Sequence, residues 1–331
     1  GVGTEGLWVS GCKGFPDIYE RAGAIIKLNR DGSADISSGT VDIGSGQIAT
    51  LCQIAAAELG VGMDKVRMVY ADTDTVPFDA PTHASRGTYS SGLAVQAAAA
   101  QVRKRVFEIA AGLMEANPDD LDISNGQVYV KGSPDSARPL TDIIHIAESP
   151  FIMDTEQGPR PSSPPEHKGT IIGSSSLAPP ENPSPATALF VEVEVDTETG
   201  QVAVLRCVYA HDLGRLINPN AAQGQVEGGM QQGIGYALME NLVFDPDTGA
   251  CLSADFLDYK MPTAVEMPRV IESIFIETNE PTGPFGAKSL SEQCVTVPAA
   301  AIAAAVYNAI GVRIRDLPIT PEKILNALGK L

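Results

Sequence analysis

Apolar Ile25, Ile26 and Leu28 precede the polar turn Asn29-Arg30-Asp31-Gly32, and the alternating Ala34, Ile36 and Ser38 follow it, which predicts a β-hairpin. Helical spacing of apolar residues follows from about 48 to 59, and then a strand over 66–70 that ends in Asp72-Thr73-Asp74-Thr75. A long alanine-rich helix is expected from Gly92 to about Glu115, where Asn117-Pro118-Asp119-Asp120 stops it. Leu121 to Val130, turning at Asn125-Gly126, reads as a second hairpin. Further on, Phe190, Val191, Val193 and Val195 mark a strand over 188–195, and the chain turns at Asp196-Thr197-Glu198-Thr199-Gly200 and returns over 202–210. A glycine-dotted helix over 221–241, a strand over 267–278, a long helix over 298–310 and a short one opened by Pro321 complete the pattern. Proline and serine dominate between Pro159 and Pro185, which predicts a linker or an extended crossing segment. The fold class is α+β, with two subdomains over 1–160 and 161–331 that each set hairpins against long helices.

A chain of 331 residues is long enough to bury a sizeable core, and its 44% hydrophobic and 19% charged content is that of an ordinary globular protein. The net charge of −18 argues against non-specific binding to nucleic acid or anionic membrane, which needs a basic face. It leaves room for one anion held by backbone N–H groups. The five cysteines, Cys12, Cys52, Cys207, Cys251 and Cys294, are scattered without a Cys-x-x-Cys, so neither an iron–sulfur cluster nor a zinc site is expected in this chain. Free thiols in a reducing cytoplasm are the expectation. No apolar run approaches the roughly 20 residues that span a bilayer. The start, Gly1-Val2-Gly3-Thr4, does not read as a signal peptide but as the interior of a larger polypeptide.

Three segments share one design, small or hydroxyl residues followed by a helix. They are Gly44-Ser45-Gly46-Gln47, Ala84-Ser85-Arg86-Gly87-Thr88, and Lys288-Ser289-Leu290-Ser291-Glu292. A helix N-terminus offers unpaired N–H groups and a partial positive charge, glycine lets a ligand approach the backbone, and Arg86 is a candidate fork to phosphate. Each segment alone also reads as a tight turn or a helix cap. Three together suit a bulky polyanionic ligand. No GxxxxGK[ST] and no Rossmann fingerprint is present, which disfavours nucleotide hydrolysis and nicotinamide binding.

Glu292 sits among Pro284, Phe285, Gly286, Ala287, Leu290, Cys294 and Val295, all apolar or small. A glutamate in such surroundings is expected to be desolvated, with its pKa raised as suits a general base. The plainer reading is a solvated glutamate near a helix start.

Ordered blocks along nearly the whole chain carry a family resemblance. They include Val41-Asp42-Ile43-Gly44-Ser45-Gly46, Gln53-Ile54-Ala55-Ala56-Ala57-Glu58-Leu59-Gly60, and Asp72-Thr73-Asp74-Thr75-Val76-Pro77 followed by Ser85-Arg86-Gly87-Thr88. Later come Asp212-Leu213-Gly214-Arg215-Leu216-Ile217-Asn218-Pro219, Gln225-Val226-Glu227-Gly228-Gly229-Met230, Phe285-Gly286-Ala287-Lys288 to Glu292, and Asp316-Leu317-Pro318-Ile319-Thr320-Pro321. With these blocks the chain resembles the C-terminal half of the molybdopterin subunit of the molybdenum hydroxylases, the family of xanthine dehydrogenase and aldehyde oxidoreductase.

The resemblance implies molybdenum on a molybdopterin cytosine dinucleotide and hydroxylation of an electron-poor carbon with oxygen from water. It makes Glu292 the catalytic base, and it makes Gly44, Ser45, Gly46, Gln47, Ala84, Ser85, Arg86, Gly87, Thr88, Lys288, Ser289, Leu290 and Ser291 the cofactor contacts. Tyr19, or nearby Phe15, is a candidate for the substrate pocket, with a core aromatic as the plainer reading. Ser45 stands where the family commonly has glutamine, with Gln47 a nearby substitute. Ser289 and Ser291 stand where it commonly has glycine, which points to an altered pocket or an altered sulfur or selenium ligand sphere, with sulfur and selenium both open as the terminal molybdenum ligand. The family's other molybdenum-binding half, its iron–sulfur cysteines and its flavin motif are absent from this sequence. The resemblance therefore implies a second, larger molybdopterin subunit sharing the cofactor, with an iron–sulfur subunit and an FAD subunit carrying electrons away. Within the family the chain is most like the medium molybdopterin subunit of nicotinate dehydrogenase, so a heteroaromatic substrate, nicotinate going to 6-hydroxynicotinate, is the expectation. The alternatives are a purine, an aldehyde or another heterocycle on the same machinery, or a structural subunit without a catalytic group.

Overall fold

The computed structural model describes residues 1–6, 20–149, 151–154, 158–161 and 168–331. The chain divides into two compact units. Ser10–Asn182 with Pro281–Ala287 form what we call the glycine-loop unit, and Gly1–Val9, Pro183–Glu280 and Lys288–Leu331 form the glutamate unit. The division differs from the expected one at 160/161. Ile172–Leu177 is a strand hydrogen-bonded to Ala22–Leu28, which keeps residues to Asn182 with the earlier unit. Val2–Gly6, the first strand β1, pairs with Ala186–Val195, which assigns it to the glutamate unit.

In the glycine-loop unit, β2 (Ala22–Leu28) and β3 (Ala34–Ser38) form the expected hairpin. Along β2 the residues alternate as the pleat requires, so Ala24, Ile26 and Leu28 are buried while Ile25 is exposed. Helix α1 (Gln47–Leu59) then leads to β4 (Val66–Tyr70), parallel to β3. The strand β10 (Ile172–Leu177) closes the other edge, giving the order β10-β2-β3-β4. Helix α2 (Gly92–Met114) packs on β2 and β10 and buries Ala94, Val95, Ala98, Ala99 and Val102 there. A three-stranded sheet follows, of β5 (Leu121–Ser124), β6 (Gln127–Val130) and β7 (Ser133–Pro139), then α3 (Leu140–Glu148) and the pair β8 (Phe151–Asp154) and β9 (Gly158–Pro161). Helix α3 buries Leu140, Ile143, Ile144 and Ala147, the i, i+3, i+4, i+7 stripe of an amphipathic helix.

The glutamate unit repeats the plan. Strand β1 (Val2–Gly6) lies outside the antiparallel pair β11 (Ala186–Val195) and β12 (Val202–Asp212). The helix α4 (Pro219–Ile234) then leads to β13 (Val270–Ile276), parallel to β12. Helix α4 ends earlier than the 241 expected, passing into a π-helical turn over Gly235–Met239. On β11 the core side is Leu189 and Val191, while Phe190 is more than half exposed. A short helix α5 (Gln293–Thr296) runs into α6 (Pro298–Ile310), and α7 (Pro321–Ala327) ends the chain. Residues 293–310 are apolar enough over 18 residues to cross a membrane by composition. Here Val297, Ala301, Ile302 and Val306 pack into the core with Leu189, Val204, Tyr209, Val226 and Met230.

Candidate functional site

The first two loops come together in the glycine-loop unit. Gly44 (φ 101°) and Gly46 (φ 71°) are both in the left-handed region, and Gly46 is the N-cap of α1. The Asp42 carboxylate accepts from the Gly44 amide at 2.9 Å and from the Ile48 amide at 3.3 Å, which fixes the turn. The amides of Ser45 and Gly46 take no partner among the described residues. The Ser45 hydroxyl oxygen is buried and likewise without a partner, and nothing lies within 4 Å of a Cβ placed on Gly44. An unpaired buried hydroxyl costs about 1–3 kcal/mol unless something bonds it, so the loop is suited to a ligand oxygen.

Gln47 is buried, and its Nε2 donates to Thr40 Oγ1. A side chain on Gly87 would overlap the Gln47 amide, so glycine at 87 is what lets the second loop lie against the first. In that loop Ala84 and Ser85 both have φ +48°. Two successive non-glycine residues there cost on the order of 1–3 kcal/mol each, strain of the kind stored at ligand clamps. Gly87–Ser91 then forms a π-helical turn that opens α2, another feature concentrated at functional sites. Thr88 is half-buried within it.

Arg86, a candidate fork to phosphate, spends its guanidinium on protein partners that hold the second loop. It is 1% exposed. Its Nη1 donates to Asp79 Oδ1 at 2.6 Å and to the Ala80 carbonyl at 3.0 Å, Nη2 donates to the Arg21 carbonyl at 3.3 Å, and Nε lies 3.3 Å from Glu20 Oε2. Burial pushes the Asp79 carboxyl up, against the pull of the Arg86 guanidinium.

The third loop belongs to the glutamate unit. Lys288 is also committed to protein, with its ammonium 2.7 Å from Asp212 Oδ2 and 3.2 Å from the Ser184 carbonyl, while its amide donates to the Leu213 carbonyl at 2.7 Å. Burial raises the Asp212 pKa, but hydrogen bonds from Lys288, Gly214 and Thr278, with the Lys288 charge, outweigh it and hold the carboxyl below its usual range. Ser289 is buried, and Leu290, Ser291 and Glu292 are half-buried. Glu292 is the N-cap residue of α5, and its carbonyl accepts from the Val295 and Thr296 amides at 2.9 and 3.1 Å. It is less enclosed than its apolar neighbours in sequence suggest. Burial also pushes the adjacent Cys294 thiol up, so it stays a neutral packing group. In α4, a Cβ on Gly229 would overlap Cys294, so that glycine admits the Glu292 turn to the core.

Tyr19 and Phe15, the candidates for the substrate pocket, lie outside the described residues. Thr40, Asp79, Glu20 and Gln293 shape these loops and carry no sequence signal of it, because their partners are distant or depend on local backbone geometry. Among the described residues no three His, Cys, Asp or Glu side chains gather as metal ligands. What the loops offer is neutral backbone and hydroxyl donors with one orphaned oxygen, a set that fits a large oxygen-rich cofactor.

Residues 1–268 match the family described as molybdopterin cofactor-binding domain. The xanthine dehydrogenase molybdenum-binding subunit of Escherichia coli O157:H7 is 35% identical over 311 residues, 94% of this chain and 40% of that relative. The 6-hydroxypseudooxynicotine dehydrogenase complex subunit gamma of Paenarthrobacter nicotinovorans is 32% identical over 97% of this chain and 39% of its own length. Quinoline 2-oxidoreductase from Pseudomonas putida 86 superposes over 100% of this chain and 42% of that one, with a TM-score of 0.88 at 27% identity. The chain thus spans about two fifths of the length of these relatives. With its mixed helix-and-sheet fold and these matches, the chain belongs to the molybdopterin cofactor-binding domain family, on the xanthine dehydrogenase and aldehyde oxidoreductase branch.

Proposed function

We propose that this chain supplies the general base, Glu292, to a molybdenum hydroxylase acting on an N-heteroaromatic substrate, nicotinate going to 6-hydroxynicotinate. The observation that carries the reading is the placement of Glu292. It is a half-buried carboxylate at the N-cap of α5, on a loop held by Lys288–Asp212 at one end and by α5 at the other. Gly44, Ser45, Gly46 and Gln47 would hold the cofactor together with Ala84, Ser85, Gly87 and Thr88, and Lys288, Ser289, Leu290 and Ser291 would add backbone contacts to it. The cofactor, in this reading molybdopterin cytosine dinucleotide with a sulfur or selenium ligand on molybdenum, supplies two-electron oxidation of the substrate carbon with oxygen taken from water.

The chain's own part is proton transfer and positioning. Glu292 in its carboxylate form accepts a proton at an Oε atom, which raises the nucleophilicity of the oxygen that gives it up. Ser45 Oγ and the Ser45 and Gly46 amides bind and orient without adding charge. The remaining molybdenum-binding half, the iron–sulfur centres and the FAD would come from partner subunits. Two named relatives act on nitrogen-containing rings, xanthine and quinoline, which supports a heteroaromatic substrate. The xanthine dehydrogenase relative favours a purine as the second reading.

Glu292→Gln in the assembled enzyme tests the proposal. Turnover is expected to fall by roughly two decades or more, the scale of losing a general base, with molybdenum content unchanged. Near-normal turnover defeats the assignment. Assaying nicotinate beside xanthine decides the substrate, and rapid xanthine turnover with inert nicotinate overturns the first choice.

A further inference from the structure

The loop before Glu292 is held by a side chain that immediately follows it. Gln293 is 0% exposed. Its Nε2 donates to the Ser289 carbonyl at 2.9 Å, and its Oε1 accepts from the Ser291 amide at 3.2 Å. One primary amide thus satisfies the peptide groups on both sides of Leu290, as a neighbouring strand would. The bracket is itself anchored, because the Gln293 carbonyl accepts from the Tyr209 hydroxyl at 2.7 Å. Tyr209 lies on β12, is 0% exposed, and packs against His211 with ring centroids 4.2 Å apart and the planes tilted by 41°. From the sheet to the base the path is therefore β12, Tyr209, Gln293, the Ser289–Ser291 backbone, and Glu292.

We infer that Gln293 is a positioning residue that fixes the direction of the Glu292 carboxylate by bracketing the Ser289–Ser291 backbone. The inference rests on the reading of Glu292 as base. Chemistry decides why glutamine serves here. The site needs one donor and one acceptor, both buried and neutral. Leucine offers neither, and an ionised glutamate turns the donor into a second acceptor facing the Ser289 carbonyl. A protonated glutamic acid supplies both again, so acid restores what ionisation removes.

The test uses the assembled, molybdenum-loaded enzyme with Gln293→Leu and Gln293→Glu, assayed with nicotinate and with xanthine. Misplacing a reacting group by about 1 Å costs on the order of 100-fold, so Gln293→Leu should lower kcat by roughly 10- to 100-fold. KM should stay near the parent value and molybdenum content should be retained, while the melting temperature falls by a few degrees because the buried Ser289 carbonyl loses its donor. Relative to the parent enzyme, Gln293→Glu should lose kcat as the pH rises and its buried carboxyl ionises, a limb absent from Gln293→Leu. Amide hydrogen exchange gives a readout independent of turnover, and the Ser289–Glu292 segment should exchange about tenfold faster or more in Gln293→Leu, with β12 unchanged. Unchanged exchange, or unchanged kcat with faster exchange, overturns the inference. So does a loss of molybdenum that matches the loss of activity. If Gln293→Leu does not fold, Gln293→Glu decides by its pH profile. If Glu292→Gln keeps normal turnover, the base assignment fails instead, a result separable from the exchange measurement.

Discussion

The two units use one plan and finish it differently. Each has an antiparallel pair flanked by an edge strand, then a helix, then a strand parallel to the second of the pair. The loop between second strand and helix is the point of contrast. In the glutamate unit, residues 213–218 are closed in on the protein. Gly214 donates to Asp212 at 3.0 Å, Leu216 to Glu277 at 2.7 Å, and Asn218 caps the Ala221 amide at 3.1 Å. In the glycine-loop unit the matching loop leaves the Ser45 hydroxyl and the Ser45 and Gly46 amides without partners among the described residues. Backbone plan alone does not leave a loop open to a ligand, then. What leaves one open is the absence of side chains able to satisfy its polar groups.

The sharpest way to break this contrast is at Arg86, whose buried ion pairs hold the strained Ala84–Ser85 turn. Arg86→Met leaves the Asp79 and Glu20 carboxylates buried without their cation, and about 3–5 kcal/mol of stability should be lost in denaturant unfolding. On the other side stands His211, 0% exposed with Nδ1 2.8 Å from Thr187 Oγ1. Burial brings its pKa down from 6.5 to about 4. The ring is neutral when folded, so its contribution is complete above about pH 6.5 and is lost as the pH falls through about 4. That amounts to about 3 kcal/mol, and His211→Asn should flatten this part of the stability–pH curve. Gly229→Ala should cost about 1–3 kcal/mol by overpacking against Cys294, read as a lower melting temperature. Ser45→Ala should leave melting nearly unchanged while weakening cofactor retention by about 1 kcal/mol, measured as molybdenum content after dilution. An equal retention would show that the orphaned hydroxyl serves no ligand.

Much of the scaffold was legible because its cues are local. The Asn29–Gly32 and Asn125-Gly126 turns, the helix stop before Pro118 and the Pro298 start all match the structure. Strand β10 was hidden because Pro159–Pro185 has the composition of a linker, and only pairing with β2 across more than a hundred residues makes it a strand. Helix α3 carries a clear apolar stripe, but it is short and follows directly on a strand that ends at Pro139. The loops were legible as candidates through glycine and hydroxyl content. The employment of Arg86 and Lys288 was not, since Asp79, Glu20 and Asp212 reach them through the fold.

Strand β1 bears on how the chain is made. Val2 pairs with Phe190, so the edge of the glutamate unit's sheet closes over 187 residues of intervening sequence. At about 5–20 residues per second of synthesis, β1 waits roughly ten to forty seconds for its partner. The glycine-loop unit's hairpins and helices can order during that interval, since their contacts are mostly nearer in sequence. Until β11 emerges, β1 is an unpaired strand, and that delay is the time at which the nascent chain is most open to mispairing.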